Sequence, residues 1–297
     1  HVEHIDGLIR DAMEVAGLKF SDLDGVAATA GPGLIGGVMV GLVTGKAIAA
    51  AIAKPLLAIN HLEGHALTAR LTDDIDFPYL LLLVSGGHCQ LLLIEGLGQY
   101  CRLGTTIDDA VGEAFDKAGK MLGLPFPGGP AIQVAAEKGD DKAIPLPRPM
   151  VGRAGCDFSF SGLKTALRRI LEGNPDLAVS DVAASFQKAV GDVIVDRAYN
   201  AVAMARQKIP NLDCMVIAGG VAANEHLRQR LDKLCGEVGL QLVAPPPALC
   251  TDNGAMIAWA GVERLHAGLT DPLDVPALAR WPLDAHAKPM PFAGKKA

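Results

Sequence analysis

Several features are missing from this sequence, and each absence narrows its class. It has no uninterrupted apolar run of about 20 residues free of glycine or charge, which argues against a membrane span. The six cysteines, at 89, 101, 156, 214, 235 and 250, form no C-x-x-C pair. That speaks against a disulfide framework and against a thiolate zinc site, and points to a reducing compartment. No signal-peptide pattern opens the chain, so a cytoplasmic location is expected. Positive charge is also short, with a net charge of −6. A protein that grips nucleic acid alone is usually basic, so any such contact here is local or shared with partners. Internal repeats and low-complexity tracts are absent.

What is present is ample apolar material. Half of the 297 residues are apolar and a fifth are charged, enough for one large or two medium domains. Ile5, Leu8, Ile9, Ala12, Met13 and Ala16 share one face of an amphipathic helix over 3–17, closed by Gly17. Residues 25–31 read as a buried strand, followed by a glycine-rich turn and a long small-residue helix over 36–53. "PLLAIN" is the next strand and leads into a helix from His61, which gives parallel α/β alternation. "FPYLLLLVSGGHCQLLLIEG" reads as a β-hairpin turning at Ser85-Gly86-Gly87-His88.

A helix is predicted over 105–122, with Asp109, Glu113 and Asp116 together on one side. Residues 123–150 read as a loop-rich connection around one short helix. Beyond lie "DFSFSGLKTALRRI", a helix over 180–208, a strand over 214–220, a helix over 222–237, the strand "LQLVAPP" and a helix over 254–267. The tail 283–297 reads as loosely structured.

The motifs carry the chemistry. His61 and His65 stand four apart, one helical turn, which suits two imidazoles on one metal ion and equally suits a surface accident. Between them Glu63 lies about 200° round the helix from His61, so neither the H-E-x-x-H nor the H-x-x-E-H protease arrangement is met. "GPGLIG" (31–36) follows a strand and precedes a helix. However, the next strand ends in Asn60-His61, without the acid a dinucleotide site needs. "GLVTGKA" (41–47) has the wrong spacing for a P-loop and lies inside a predicted helix.

"VSGGH" (84–88) is either a simple hairpin turn or a phosphate cradle of backbone N–H groups and the Ser85 hydroxyl. "VIAGGVAAN" (216–224) is a strand–glycine–helix junction against which a nucleotide can lie, with Asn224 placed to hydrogen-bond it. Asp252 precedes a helix, either as its N-cap or as the carboxylate of a two-histidine, one-carboxylate metal set.

"AGPGLIGG", "NHLEGH", "LLVSGGH", "IDDAVGEAFDKAGKMLGLPFPGGP", "DFSFSGLKT", "AGGVAAN" and "CTDNGAMIAWAG", in this order, resemble the tRNA N6-adenosine threonylcarbamoyltransferase family, formerly described as O-sialoglycoprotein endopeptidases. The resemblance implies an α/β, actin-like (sugar kinase/Hsp70-type) ATPase fold of two lobes around a nucleotide cleft, 1–125 and 126–282, with 254–267 packing back on the first. It implies transfer of threonylcarbamoyl from its adenylate to N6 of the adenosine beside the anticodon, in tRNAs reading codons that start with A. It also implies one divalent metal, iron or zinc, on His61, His65 and Asp252. Leu83, Val84, Ser85, Gly86 and Gly87 would line the phosphate side, and Asp116, Gly129 and Asn224 would hold the rest of the adenylate. ATP or ADP is a further expected ligand.

The expected partners are tRNA, a paralogous actin-like subunit and a small ATPase subunit of the TsaB and TsaE type. Lys164, Arg168 and Arg169 are a candidate tRNA contact or simply an exposed helix end. The family's opening strand and hairpin, with their "ETSCDE"-like motif, are not among these residues, so the first lobe is expected without its first strands. A mitochondrial matrix location would apply in a eukaryote. The rivals are a non-catalytic scaffold subunit, a metalloprotease and a sugar kinase. No residue is assigned as general base.

Overall fold

The computed structural model describes residues 1–287. It divides into two compact units. One is His1–Leu71 with Asp252–Ala285; the other is Thr72–Thr251.

In the first unit, α1 (Val2–Ala16) is closed by Gly17 in the left-handed conformation, φ 65°. Strands β1 (Val26–Gly31) and β2 (Leu56–Asn60) pair in parallel, Val26 opposite Leu56. They are joined by α2 (Ile35–Ile52), which packs on β1. Among the described residues α2 is the one helix long and apolar enough to cross a bilayer by length and composition. It contains Lys46, whose Nζ donates to the Val275 carbonyl at 2.6 Å. So "GLVTGKA" is helical, and its lysine is occupied. The next helix, α3 (His61–Asp73), starts directly at the end of β2, where the Asn60 side chain accepts from Leu62 N–H at 2.9 Å. From Leu62 to Ala69 every residue of α3 is buried. A later helix of the same unit, α10 (Gly254–His266), packs on β1 and β2.

The second unit holds the larger core. Its sheet has the order β5-β4-β3-β6-β7. Strands β3 (Tyr79–Val84), β4 (Cys89–Gly96) and β5 (Gln99–Thr105) form an antiparallel meander. Strand β6 (Cys214–Ala218) runs parallel to β3, and β7 (Gln241–Val243) parallel to β6. Every residue of β3 is buried, which explains its continuous apolar run rather than an alternating one. Around the sheet lie α4 (Val111–Met121), α5 (Gly128–Ala136), α6 (Ser161–Gly173), α7 (Val179–Lys208), α8 (Glu225–Val238) and the single turn α9 (Pro247–Cys250). All six cysteines are free thiols. Burial pushes Cys156 and Cys235 up to about 12, so neither offers a thiolate.

Four expectations need correction. The boundary between units falls at 71/72 and 251/252, not at 125/126, because β3 pairs with both β4 and β6 and so ties the hairpin to the later residues. The helix predicted from 105 begins at Val111. Thr105 ends β5, and residues 105–107 are drawn into extended pairing with Phe158: Phe158 N–H donates to Thr105 at 3.0 Å and Ile107 N–H to Phe158 at 2.9 Å. The strand predicted over 214–220 ends at Ala218, because Gly219 turns at φ 92°. Likewise the helix expected from 222 starts at Glu225, after a short 3-10 turn over Gly220–Ala223. Of the tail 283–297, residues 288–297 lie outside the described residues.

Candidate metal centre and nucleotide cavity

Helix α3 begins with His61 and carries His65 one turn on. The rings stand 5.0 Å apart, edge to face. Both Nε2 atoms converge on one oxygen: Asp252 Oδ1 lies 3.2 Å from His61 and 3.1 Å from His65. The three candidate ligand atoms lie within 4.8 Å of one another. His65 is buried at 1 % exposure, whereas the Asp252 side chain is 74 % exposed. One half of the set is therefore fixed by packing and the other faces solvent.

Asp252 does not cap α10. Asn253 does, its side chain accepting from Met256 N–H at 2.8 Å. The Asp252 carboxylate is thus free of helix duty, and hydrogen bonds from His61 and His65 hold it far below the usual carboxylate range despite partial burial. Two imidazole nitrogens and one carboxylate form a donor set that suits a borderline divalent cation, and the convergence of both Nε2 atoms on one point fits it. Among the described residues His65 Nδ1 is buried without a partner, so that ring is oriented by packing and by the contact of its Nε2 with Asp252. Glu63 is 2 % exposed and lies 3.4 Å from Arg264 on α10. It is committed away from the histidines, as its helical phase requires.

The second unit contains a cavity of about 420 Å³, bordered by Gly86, Asp116, Gly129 and Asn224 of the expected nucleotide residues. Leu83 and Val84 are fully buried strand residues and do not border it. Ser85 also lies off the wall; its hydroxyl is used inside the turn, accepting from His88 N–H at 3.1 Å and Gly87 N–H at 3.4 Å.

Helix α4 starts against this turn. Gly112 N–H donates to the Ser85 carbonyl at 3.2 Å, and any Cβ at Gly112 would come within 2.7 Å of that oxygen. Asp116, one turn along, accepts from Gly128 N–H at 2.7 Å and thereby positions the start of α5. Beside it, Gly129 faces open space, with room for a ligand against bare backbone. Asn224 caps α8 through Leu227 N–H and donates to Gln187 Oε1, both at 2.9 Å. The amide keeps a second N–H and a second carbonyl lone pair that a base could use.

The cavity wall also contains Gly112, Phe115, Gln133 and Thr251, none of which the motifs singled out. Gly112 had a signal, a glycine inside an otherwise apolar helical face. Phe115 and Thr251 lie inside quoted motifs but carried no role there, and Gln133 had no signal.

Of the candidate basic cluster, Lys164 lies 3.1 Å from Asp109 and Arg168 3.6 Å from Glu172. Both carry local ion pairs. Asp109 also takes Lys117, which pairs with Glu113 as well, each at 2.9 Å. Its neighbour Asp108 accepts from the Ser159 and Ser161 hydroxyls at 2.6 and 2.8 Å and from Phe160 N–H at 2.8 Å, clamping the end of β5 to the start of α6.

The sequence profile of TsaD, tRNA N6-adenosine threonylcarbamoyltransferase, matches residues 1–259. The chain belongs to this family. The transferase of that name from Agrobacterium fabrum is 57 % identical over 303 residues, 100 % of this chain and 83 % of that protein. The one from Paramagnetospirillum magneticum is 59 % identical over 292 residues, 97 % and 84 % of the two chains. Among solved structures, HypF from T. kodakarensis is similar with a TM-score of 0.61 at 15 % identity, covering 84 % of this chain and 42 % of that one. Full-length HypF in its phosphate- and nucleotide-bound form gives 0.56 at 13 % identity, covering 79 % and 38 %. These likenesses concern the fold, which is of the actin-like ATPase type.

Proposed function

We propose that this chain transfers the threonylcarbamoyl group of threonylcarbamoyl-AMP to N6 of the adenosine beside the anticodon, in tRNAs that read codons beginning with A. The observation that carries the reading is identity of 57–59 % with transferases of this name across essentially the whole chain. His61, His65 and Asp252 are proposed to hold one divalent cation, iron or zinc. When bound, such a cation supplies Lewis acidity to an anionic leaving group.

The remaining work falls to the chain's own groups. Asp116, Gly129 and Asn224 are proposed to hold the nucleoside part of the adenylate in the 420 Å³ cavity, which Gly86 borders from the phosphate side. The exposed backbone of the 85–88 turn is proposed to face the phosphate, with Leu83 and Val84 supporting it from beneath. Because the carbamoyl is already activated as an adenylate, positioning and charge stabilisation supply more of the rate than a strong nucleophile would.

The proposed partners are a paralogous actin-like subunit and a small ATPase subunit. The exposed apolar side chains Leu8 on α1 and Met39 and Val43 on α2 support a protein partner on the first unit. A cytoplasmic location accords with tRNA as substrate.

The test is reconstitution with tRNA, threonine, bicarbonate, ATP, the adenylate-forming enzyme and the partner subunits, with nucleosides weighed by mass spectrometry. Threonylcarbamoyladenosine made by the parent and not by His61→Ala supports both reaction and cation site. Equal product from the two removes the cation role.

A further inference from the structure

Between α4 and α5 the chain reads Leu124-Pro125-Phe126-Pro127, and Phe126 is 85 % exposed, more than any other aromatic among the large apolar side chains exposed in the described residues. A phenylalanine left in water forgoes the burial that makes the residue useful in a core. The backbone that carries this ring is also constrained. Prolines on both sides fix the local φ angles. Just beyond, Gly128 is tied to Asp116 at 2.7 Å and lies so close to α4 that a Cβ there would meet the Phe115 carbonyl at 2.5 Å. The loop is anchored while its aromatic tip is held out.

The surroundings say what the ring suits. A concavity of about 440 Å³ is bordered by Phe126, Leu124 and Pro125, with Lys120 and Asp116 also on its wall. Asp116 borders the 420 Å³ cavity as well, alongside Pro127 and Gly129, so the two hollows are neighbours within one unit. Lys117 is held by Asp109 and Glu113, which leaves the exposed Lys120 as the lysine turned to solvent here. A flat apolar face beside an ammonium group matches an unpaired nucleobase with its phosphate, because every base offers a π-face and RNA loops are read by stacking.

We propose that Phe126 is a stacking platform for an unpaired base of the acceptor RNA loop, with Lys120 meeting a neighbouring phosphate. The assignment rests on the transferase reading above, since that reaction requires a loop adenosine to be held beside the adenylate cavity.

The experiment measures binding of a synthetic anticodon stem-loop to the full chain and its Phe126→Ala, Phe126→Trp and Lys120→Ala variants. A fully paired RNA of the same length serves as control, and AMP affinity and thermal melting are followed in parallel. Phe126→Ala is expected to weaken stem-loop binding roughly tenfold, with AMP affinity and melting unchanged and the paired control unaffected. Phe126→Trp should restore it, and Lys120→Ala should flatten the salt dependence.

Parental stem-loop affinity in Phe126→Ala overturns the proposal, as does a loss that tracks melting or falls equally on the paired control. So does loss only of partner-subunit association, which would make the ring a protein contact. Stem-loop binding lost in Phe126→Ala, from a parent that transfers nothing, would retain the platform and remove the reaction. Full transfer by a Phe126→Ala that binds normally would do the reverse.

Discussion

The His61–His65–Asp252 set and the cavity beside α5 ask different things of the chain. The first is made of side chains. Two rings one turn apart on a buried helix meet one exposed carboxylate, and the backbone only has to deliver them. The second is made largely of backbone, with Gly86, Gly112 and Gly129 standing where a side chain would either fill the space or drive elements apart. A side-chain site can lose its chemistry while the fold survives. A backbone site fails by misfolding, because its shape is the packing of α4, α5 and the 85–88 turn.

Three substitutions sharpen that contrast. The largest effect is expected at Gly219, where φ is 92° and a Cβ would lie 2.4 Å from the Val84 carbonyl. Gly219→Ala should cost about 3 kcal/mol in urea unfolding and abolish AMP binding with it. His61→Ala should change unfolding by less than about 1 kcal/mol, yet lower bound metal per chain, read by elemental analysis, by on the order of 100-fold in affinity. If the two variants instead lost stability equally, the division into side-chain and backbone sites would fail.

The smallest effect concerns Asp109. Burial alone would raise its carboxyl, but hydrogen bonds from Lys117 and Lys164 bring it below its ordinary value. The folded state therefore holds that proton less readily than the unfolded chain, and the stabilisation is complete above the ordinary carboxylate range and lost as pH falls from there through the lower folded value. Asp109→Asn should cost about 1 kcal/mol at neutral pH, with the gap to the parent closing in acid. A gap that widens in acid would reverse the assignment.

Legibility in the sequence followed the same division. The spacing of His61 and His65 puts both rings on one side of α3, and the structure brings both Nε2 atoms to one carboxylate oxygen. Asp252 was readable only as one of two alternatives, and the structure decides the capping question by giving that role to Asn253. The strongly periodic α1 and the long α7 fell where the sequence placed them. What escaped was set by contacts distant in sequence. Thr105 and Ile107 look helical by local pattern, but Phe158 takes them as strand partners. The strand Gln99–Thr105 itself carries an arginine and a glycine and offers no clean alternation. The division at 71/72 depends on β3 choosing β6, which no local motif announces. Asn224 was found by its motif, but its bond to Gln187 was not, because that partner sits on another helix.

The carboxylate of Asp108 has one more consequence. By receiving Ser159 and Ser161, 51 and 53 positions later, it closes a long loop that contains both α4 and α5. A closed loop of that length pays its entropy once, at the clasp, so everything inside it shares one opening event. Amide hydrogen exchange should therefore report α4, α5 and the proline-flanked segment between them as a single cooperative unit. The chain would then release a bound nucleotide and forget the shape of its pocket in the same step.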